Sequence, residues 1–286
     1  MNDNKDFYEK FYKEKTNSHS KSISGIARYF FYLTKSILKY IDPDYMNNIL
    51  EVGCGRGSHT IILSKYFNNS KVIGIDFANS GIELAKENYS EYSNLFFINE
   101  EFDNFIYNSD IKKFDLIASF EVLEHIEDWE TLLKKMIMAS NKYVLISVPV
   151  GKMRDWEKNI GHFRNFKKGE IEEFMNNNGF KTVKTFYAGF PFYSPFARDY
   201  ANKNFDNLIQ DVVKDFSIYQ KIFHYLAYIS FRYFSLKSYG DAFYGLFEKE
   251  NLTINSNGGV NYNFLFLLNL ETNYIVKAFI YIKIYG

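Results

Sequence analysis

Three glycines that follow a short apolar run are the first residues of this sequence that suggest chemistry. The run Ile49–Val52 ends at Gly53, and Gly55 and Gly57 follow before a segment with helical periodicity. A strand, a glycine turn and a helix bring backbone N–H groups and a helix N-terminus close to a ligand. Glycine suits the turn because a Cβ would clash with that ligand. The pattern predicts a ligand site at residues 53–58.

The spacing of the glycines and one acidic residue indicate the kind of ligand. A dinucleotide site of the G-x-G-x-x-G type would have its third glycine at position 58, where this chain has Ser58. Glu51, just ahead of the glycines, suits a positively charged ligand better than a pyrophosphate. We interpret Cys54 as a small residue that fills a tight turn rather than as a nucleophile. A nicotinamide-dependent oxidoreductase is the alternative, which Ser58 disfavours.

The chain resembles the class I S-adenosylmethionine-dependent methyltransferases of the small-molecule type. Three stretches carry the resemblance: Glu51-x-Gly53-x-Gly55-x-Gly57, Phe120-Glu-Val-Leu-Glu-His125 and Gly161-His-Phe-Arg-Asn-Phe166. It is strong over residues 45–187 and weak over 190–250. The resemblance implies S-adenosylmethionine as cofactor and methyl transfer to a small molecule. It also implies that five residues of the first stretch contact the cofactor: Glu51, Gly53, Cys54, Gly55 and Gly57.

A carboxylate ends the second predicted strand, Lys71–Asp76. Its distance from Gly53 along the chain matches the roughly 20 residues with which a βαβ unit brings two strand ends together. One ionised carboxylate can accept a hydrogen bond from both hydroxyls of a ribose. Asp76 is therefore predicted to bind the ribose, and Phe77 to lie against the adenine. A turn or helix cap is the alternative role for Asp76.

The resemblance assigns residues after two further strands to the ends of the cofactor. An acidic residue after the third strand would receive the adenine amino group, which points to Glu101 with Phe102 flanking the ring. Glu100 is an alternative shifted by one residue. Backbone groups near Phe120 and Glu121, after the fourth strand, would line the methionine part and the point of methyl transfer.

Two histidines are candidate catalytic bases, because imidazole has a suitable pKa for removing a proton from an oxygen acceptor. His162 lies in a loop beyond the fifth strand, and His125 follows the fourth strand, where it could instead hold the next helix in place. Arg164 and Arg154 could bind an anionic group on the acceptor, with a solvated loop as the alternative. The other histidines are interpreted as surface or packing residues: His19, His59 and His224.

The expected acceptor is a small molecule, with an oxygen of a sugar or of a phosphate-bearing biosynthetic intermediate as the first choice. A nitrogen of a small amine is the alternative. No metal ion is expected. The chain of 286 residues has 34 basic and 34 acidic residues, which argues against a nucleic acid as partner. A second copy of the chain, forming a homodimer, is left open.

Composition also suggests a compartment. The single cysteine rules out an intrachain disulfide and favours a reducing environment. The N-terminus shows no apolar signal region, and no apolar run reaches the length of about 18 residues that a membrane span needs. The protein is therefore expected to be cytoplasmic.

The predicted fold class is α/β, a Rossmann-like seven-stranded, mostly parallel sheet with flanking helices and a helical cap near the C-terminus. Leading helices over residues 1–44 would cover the cofactor site or, alternatively, one edge of the sheet. The core would comprise residues 45–189 and 262–286, and residues 190–261 would form a helical insertion that caps the acceptor pocket. For residues 216–236, a helix on a membrane surface is the rival interpretation.

Overall fold

A seven-stranded sheet is the framework of the computed structural model, which describes residues 8–13, 24–204 and 216–250. The spatial order is β3-β2-β1-β4-β5-β7-β6. The strands are β1 (Asn48–Val52), β2 (Lys71–Asp76), β3 (Leu95–Asn99), β4 (Phe114–Phe120), β5 (Ser140–Pro149), β6 (Phe180–Ala188) and β7 (Ala242–Lys249). The first five pair in parallel, and β7 lies antiparallel between β5 and β6. The predicted α/β class, a Rossmann-like seven-stranded, mostly parallel sheet with flanking helices, is confirmed.

Helices cover both faces of the sheet. They are α1 (8–13), α2 (Gly25–Leu38), α3 (Thr60–Tyr66), α4 (Asn79–Asn88), α5 (Phe102–Asn108), α6 (Trp129–Ala139), α7 (Asp155–Asn159), α8 (Glu170–Asn177), α9 (Arg198–Lys203) and α10 (Ile218–Phe234). Each face carries its own cluster of buried apolar side chains. Because both faces are covered, the central strands β1, β4 and β5 are almost continuously buried rather than alternating.

The order of the strands determines where a ligand can bind. From β1 the chain proceeds outward to β2 and β3, and it then returns to the other side of β1 with β4. In open parallel sheets, ligands bind beyond the carboxyl ends of the strands at such a reversal. This edge of the sheet carries Gly53 after β1 and Glu121 after β4, so it holds the first two of the three stretches that carry the resemblance.

The strand at the end of the described chain differs from the prediction. The sequence predicts a helical insertion over 190–261, but Ala242–Lys249 form β7, and its first six residues are buried between β5 and β6. Residues Ala242–Lys249 form a strand because they pair with β5 and β6 on either side. Local hydrophobic periodicity does not indicate pairing with segments that are distant in the sequence. The insertion is therefore shorter and ends before β7. Residues 205–215 and 251–261 of the predicted insertion and the predicted core segment 262–286 lie outside the described residues.

Helix α10 lies within the predicted insertion and packs on α2. A Cβ at Gly25 would come within 2.6 Å of the His224 carbonyl oxygen, so the glycine lets the two helix backbones approach closely. Phe231 is the buried residue of α10, while Ile222 and Phe223 are among its exposed apolar side chains. Among the described residues, no helix has both the length and the apolar character needed to cross a membrane.

Candidate functional site

The turn after β1 brings two strand ends together. Gly53 and Gly55 have φ values of +74° and +51°, a region that residues with a Cβ enter only at a cost. A Cβ at Gly53 would also overlap with the side chain of Val122, which follows β4. The glycines therefore allow the ends of β1 and β4 to meet where the strand order reverses.

Asp76, the last residue of β2, is directed at this turn. Its Oδ2 accepts a hydrogen bond from the Gly55 N–H and its Oδ1 accepts one from the Ala78 N–H, each at 2.8 Å. The carboxylate thus orients the turn, which was the alternative role. Each oxygen still has a second lone pair, so the same buried carboxylate can accept hydrogen bonds from two ligand hydroxyls.

Glu51 is a buried carboxylate beside the turn. It is 2% exposed, and its Oε2 has no hydrogen-bond partner among the described residues. Burial raises its pKa to about 8, because a buried charge without a partner is unfavourable. A cationic or hydrogen-donating ligand would supply what this carboxylate lacks. Cys54 is buried with its Sγ 2.9 Å from where a Cβ on Gly74 would lie, which agrees with a residue that fills the bend.

Helix α1 lies over the same turn. The Tyr12 hydroxyl is so close to Gly55 that a Cβ there would collide with it. Burial and then the neighbouring Asp76 carboxylate raise the pKa of this hydroxyl. One turn earlier, Tyr8 packs edge-on against Phe77 with ring centroids 6.0 Å apart. The sequence places leading helices near this site but singles out neither tyrosine, although their spacing of four residues puts both on one helix face.

We expect Tyr12→Ala to speed the association of S-adenosylhomocysteine, used here as a probe of the turn. The Tyr12 side chain occupies the space beside Gly55 and Asp76, so a ligand must displace it, and its removal eliminates that cost. Stopped-flow fluorescence should show a several-fold higher association rate. Phe11→Ala, on the same helix, is the control. Slower association in Tyr12→Ala would mean that the ring helps to hold the ligand.

The residues after β3 are less well matched to their predicted role. Phe102 is buried, while Glu101 is exposed and precedes α5 without a side-chain capping bond. Asn99 is opposite Asp76 in the strand register, and its Nδ2 donates a hydrogen bond to the Asp76 carbonyl at 2.9 Å. Asn99 therefore joins the end of β3 to the site, a role that nothing in the sequence except its strand-end position indicates.

The backbone changes direction sharply after β4. Glu121 has a φ of +55°, which costs about 1–3 kcal/mol for a residue with a side chain. Ser147 stabilises it twice: its Oγ donates to Glu121 Oε1 at 2.7 Å, and its carbonyl accepts from the Glu121 N–H at 3.0 Å. Phe120 is buried and stacks on His59 with centroids 4.5 Å apart. His59 is therefore a packing residue, as interpreted, and it is half-buried.

The two candidate histidines meet beyond the end of β4. His125 lies in the 3₁₀ turn Leu123–His125, and the His162 ring packs edge-on against it with centroids 4.5 Å apart. Burial, and then the neighbouring His162, lowers the pKa of His125 to about 3, while burial lowers that of His162 to about 4. Both rings are therefore neutral near pH 7. The Tyr8 hydroxyl lies 3.1 Å from Nδ1 of His125, so α1 reaches this part of the site too.

Glu124 is a further residue of this site that the sequence does not single out. It is completely buried, and neither carboxylate oxygen has a hydrogen-bond partner among the described residues. Burial and the Glu121 carboxylate raise its pKa well above the usual value. The signal was its place in the quoted motif, three residues after one glutamate and directly before His125.

The two candidate arginines differ in what the structure leaves them to do. Arg154 Nε donates to Asp199 Oδ1 at 2.7 Å, and Nη1 lies 3.5 Å from Asp241 Oδ2. These carboxylates already neutralise its charge, so the prediction that it binds an anionic acceptor group is not supported. Arg164 donates from Nη2 to the Glu127 carbonyl, and its buried Nε has no partner among the described residues. Of the two, Arg164 remains the candidate.

Comparison with known proteins shows what this chain is similar to. Residues 44–179 match the family model of a methyltransferase domain. The chain is 43% identical over 81 residues to malonyl-[acyl-carrier protein] O-methyltransferase 1 of Ilyobacter polytropus, covering 28% of this chain and 29% of that protein. It is 34% identical over 100 residues to a ubiquinone biosynthesis O-methyltransferase of Coxiella burnetii, covering 34% of this chain and 42% of the relative. The chain thus spans less than half the length of these curated relatives.

A solved structure shares the fold. Coclaurine N-methyltransferase bound to N-methylheliamine and S-adenosylhomocysteine superimposes with a TM-score of 0.50 at 15% identity, over 76% of this chain and 72% of that one. At this identity the similarity concerns the fold alone.

Proposed function

We propose that residues 44–179, which match the family model of a methyltransferase domain, form a class I S-adenosylmethionine-dependent domain and that the protein methylates an oxygen of a small molecule. The observation that supports this most is the convergence of three groups at the end of the sheet: the glycine turn, the Asp76 carboxylate that binds Gly55, and Glu51, whose buried Oε2 has no hydrogen-bond partner among the described residues. These residues fit a cofactor with a ribose and a positive charge.

The residues of the chain bind and orient the reactants. Bound S-adenosylmethionine supplies a sulfonium methyl group, whose carbon forms a bond to the acceptor oxygen as the carbon–sulfur bond breaks and its electron pair stays on sulfur. Asp76 and the glycine turn hold the adenosyl end, and the backbone after β4 defines the direction of attack. Alignment of two reactants in this way can lower a barrier by roughly 7–11 kcal/mol.

An oxygen acceptor is preferred for two reasons. The two relatives reported above are named as O-methyltransferases. In addition, His125 and His162 are neutral and adjacent beyond the end of β4, where an oxygen acceptor needs groups that assist removal of its proton. A phosphate or carboxylate on the acceptor would be bound by Arg164. The insertion between β6 and β7 would cover this side, because Tyr193 and Arg198 of the insertion lie near Glu121.

The test is transfer of tritiated methyl from S-adenosylmethionine to a panel of small-molecule alcohols, phenols, sugar phosphates and amines, with release of S-adenosylhomocysteine measured in parallel. We expect label in an oxygen compound. Label only in amines would replace the proposal with N-methylation. Binding of the cofactor without label in any compound of the panel, or hydride transfer from a nicotinamide, would contradict it.

His162→Ala is expected to reduce turnover by roughly a hundredfold or more while the affinity for S-adenosylhomocysteine stays unchanged. The reason is that His162 packs on His125 beyond the end of β4, whereas Gly55 and Asp76, the proposed cofactor residues, hydrogen-bond to each other at the ends of β1 and β2. His224→Ala, in α10, is the control and should retain turnover. Full activity of His162→Ala would remove this histidine from the reaction.

A further inference from the structure

Three potential metal ligands lie together beyond β4. One carboxylate oxygen of Glu124 and one ring nitrogen each of His125 and His162 are all within 4.8 Å of one another. The backbone fixes this arrangement, because the Phe163 N–H donates to the Glu124 carbonyl at 2.9 Å and holds the loop of His162 against the 3₁₀ turn. Nitrogen and oxygen ligands of a zinc ion lie about 2.0–2.2 Å from it, so small side-chain movements would bring all three atoms within bonding distance of one ion.

Glu124 requires a positive partner that the described residues do not provide. Neither of its buried oxygens accepts a hydrogen bond there, and its Oε1 lies 4.0 Å from Nε2 of His125. Arg198, the buried cation of this region, already pairs with Glu157 and with Asp241. A buried carboxylate in this situation is destabilising unless it is paired or binds a metal.

We propose that Glu124, His125 and His162 bind one divalent transition-metal ion. One carboxylate with two imidazoles is a ligand set for zinc or for iron and its neighbours, whereas magnesium and calcium prefer oxygen ligands alone. The hydrogen bond between His162 Nδ1 and Asn165 Oδ1, at 3.3 Å, is the kind of outer contact that orients a ligating ring through its other nitrogen.

The position of this ion gives it a role that rests on the proposed function. Three protein ligands leave a coordination position open, and the site directly follows the Glu121 turn. A hydroxyl of the acceptor bound at that position would have a lowered pKa. Its O–H bond would break with the proton passing to solvent, and the oxygen would keep the electron pair that attacks the methyl carbon. The ion would then do the work that the sequence assigned to a histidine base.

The experiment uses the full chain, freed of metal with a chelator, and titrates it with Zn²⁺, Mn²⁺ and Mg²⁺ separately in a calorimeter. We expect one Zn²⁺ or Mn²⁺ per chain and much weaker binding of Mg²⁺. Glu124→Gln should weaken Zn²⁺ binding by about a hundredfold or more. Replacing a residue that merely orients a ligand already costs about 10–100-fold in metal affinity, and Glu124 is a ligand itself. Glu127→Gln makes the same change at an exposed glutamate three residues away and should bind as the unmodified chain does.

Thermal unfolding separates the loss of a ligand from a loss of fold. Zn²⁺ should raise the unfolding temperature of the unmodified chain, as any ligand of the native state does. Metal-free Glu124→Gln should unfold at a similar temperature, because glutamine keeps the shape of a buried side chain whose oxygens already lack hydrogen-bond partners among the described residues, and Zn²⁺ should not shift it. A second variant, His162→Asn, should lose the shift as well.

Saturation of the Co²⁺-loaded chain with acetohydroxamate tests the open position, since an oxygen ligand that enters the coordination sphere changes the visible spectrum. No Zn²⁺ or Mn²⁺ binding, equal binding by Glu124→Gln and Glu127→Gln, or a Co²⁺ spectrum that acetohydroxamate leaves unchanged would each overturn the proposal. None of these readouts requires cofactor or acceptor. Metal binding can therefore fail while methyl transfer succeeds, and the reverse outcome is equally distinguishable.

Discussion

Asp76→Ala is expected to lower the affinity of the chain for S-adenosylhomocysteine by about tenfold or more. A hydrogen bond to a charged group contributes about 1.5–3 kcal/mol, and each 1.4 kcal/mol is tenfold in affinity. Asp76 can offer such bonds to two ribose hydroxyls, and it also orients the Gly55 N–H at 2.8 Å. Isothermal titration calorimetry measures the change directly.

The control for this variant is Asp115→Ala. Asp115, at the opposite end of the sheet, likewise accepts two backbone hydrogen bonds, from the N–H groups of Asn47 and Asn48 at 2.8 and 3.1 Å. Its replacement should lower stability to a comparable extent but leave the affinity unaffected. If Asp76→Ala bound S-adenosylhomocysteine as tightly as Asp115→Ala, Asp76 would have no part in the cofactor site.

Arg198→Ala is expected to lower the free energy of unfolding by about 3–5 kcal/mol, the cost of leaving a buried charge without its partner. Arg198 is 1% exposed and joins three segments: it lies at the start of α9, pairs with Glu157 of α7, and binds Asp241 Oδ2 at 2.9 Å ahead of β7. Without it, the buried Glu157 carboxylate loses its cation. Urea denaturation followed by circular dichroism measures the loss.

Lys135→Ala provides the comparison at the surface. Its Nζ lies 2.5 Å from Asp103 Oδ2, but both side chains are well exposed, and exposed pairs contribute only about 0–1 kcal/mol. Arg198→Ala should therefore unfold at a clearly lower urea concentration than Lys135→Ala. An Arg198→Ala variant as stable as Lys135→Ala would show that the insertion does not depend on this buried pair.

The sequence predicted the strands and the ends of the sheet well where the chemistry is local. The apolar runs before Gly53 and Asp76 are short, buried on both faces and followed directly by the residues predicted to bind the cofactor, so the turn and the strand ends can be predicted together. The meeting of His125 and His162 followed from the same topology. It places the loops beyond β4 and β5 at one edge of the sheet.

The features that were missed depend on contacts between distant segments. The sequence predicts a helical insertion over the residues of β7, because what makes them a strand is their pairing with β5 and β6. The sequence predicts that Arg154 binds an anion, but its side chain already pairs with Asp199 and Asp241, which lie far from it in the sequence. The importance of Glu124 lies in the absence of hydrogen bonds to its carboxylate among the described residues, and a sequence does not show which partners a buried group lacks.

The central claim is that the ends of β1 and β2 bind an adenosyl sulfonium cofactor. The most direct measurement is calorimetric titration of the unmodified chain with S-adenosylhomocysteine and, separately, with NADH. We predict that one S-adenosylhomocysteine binds per chain and that NADH produces no binding heat. Saturable binding of NADH, or no binding of S-adenosylhomocysteine, would contradict the account.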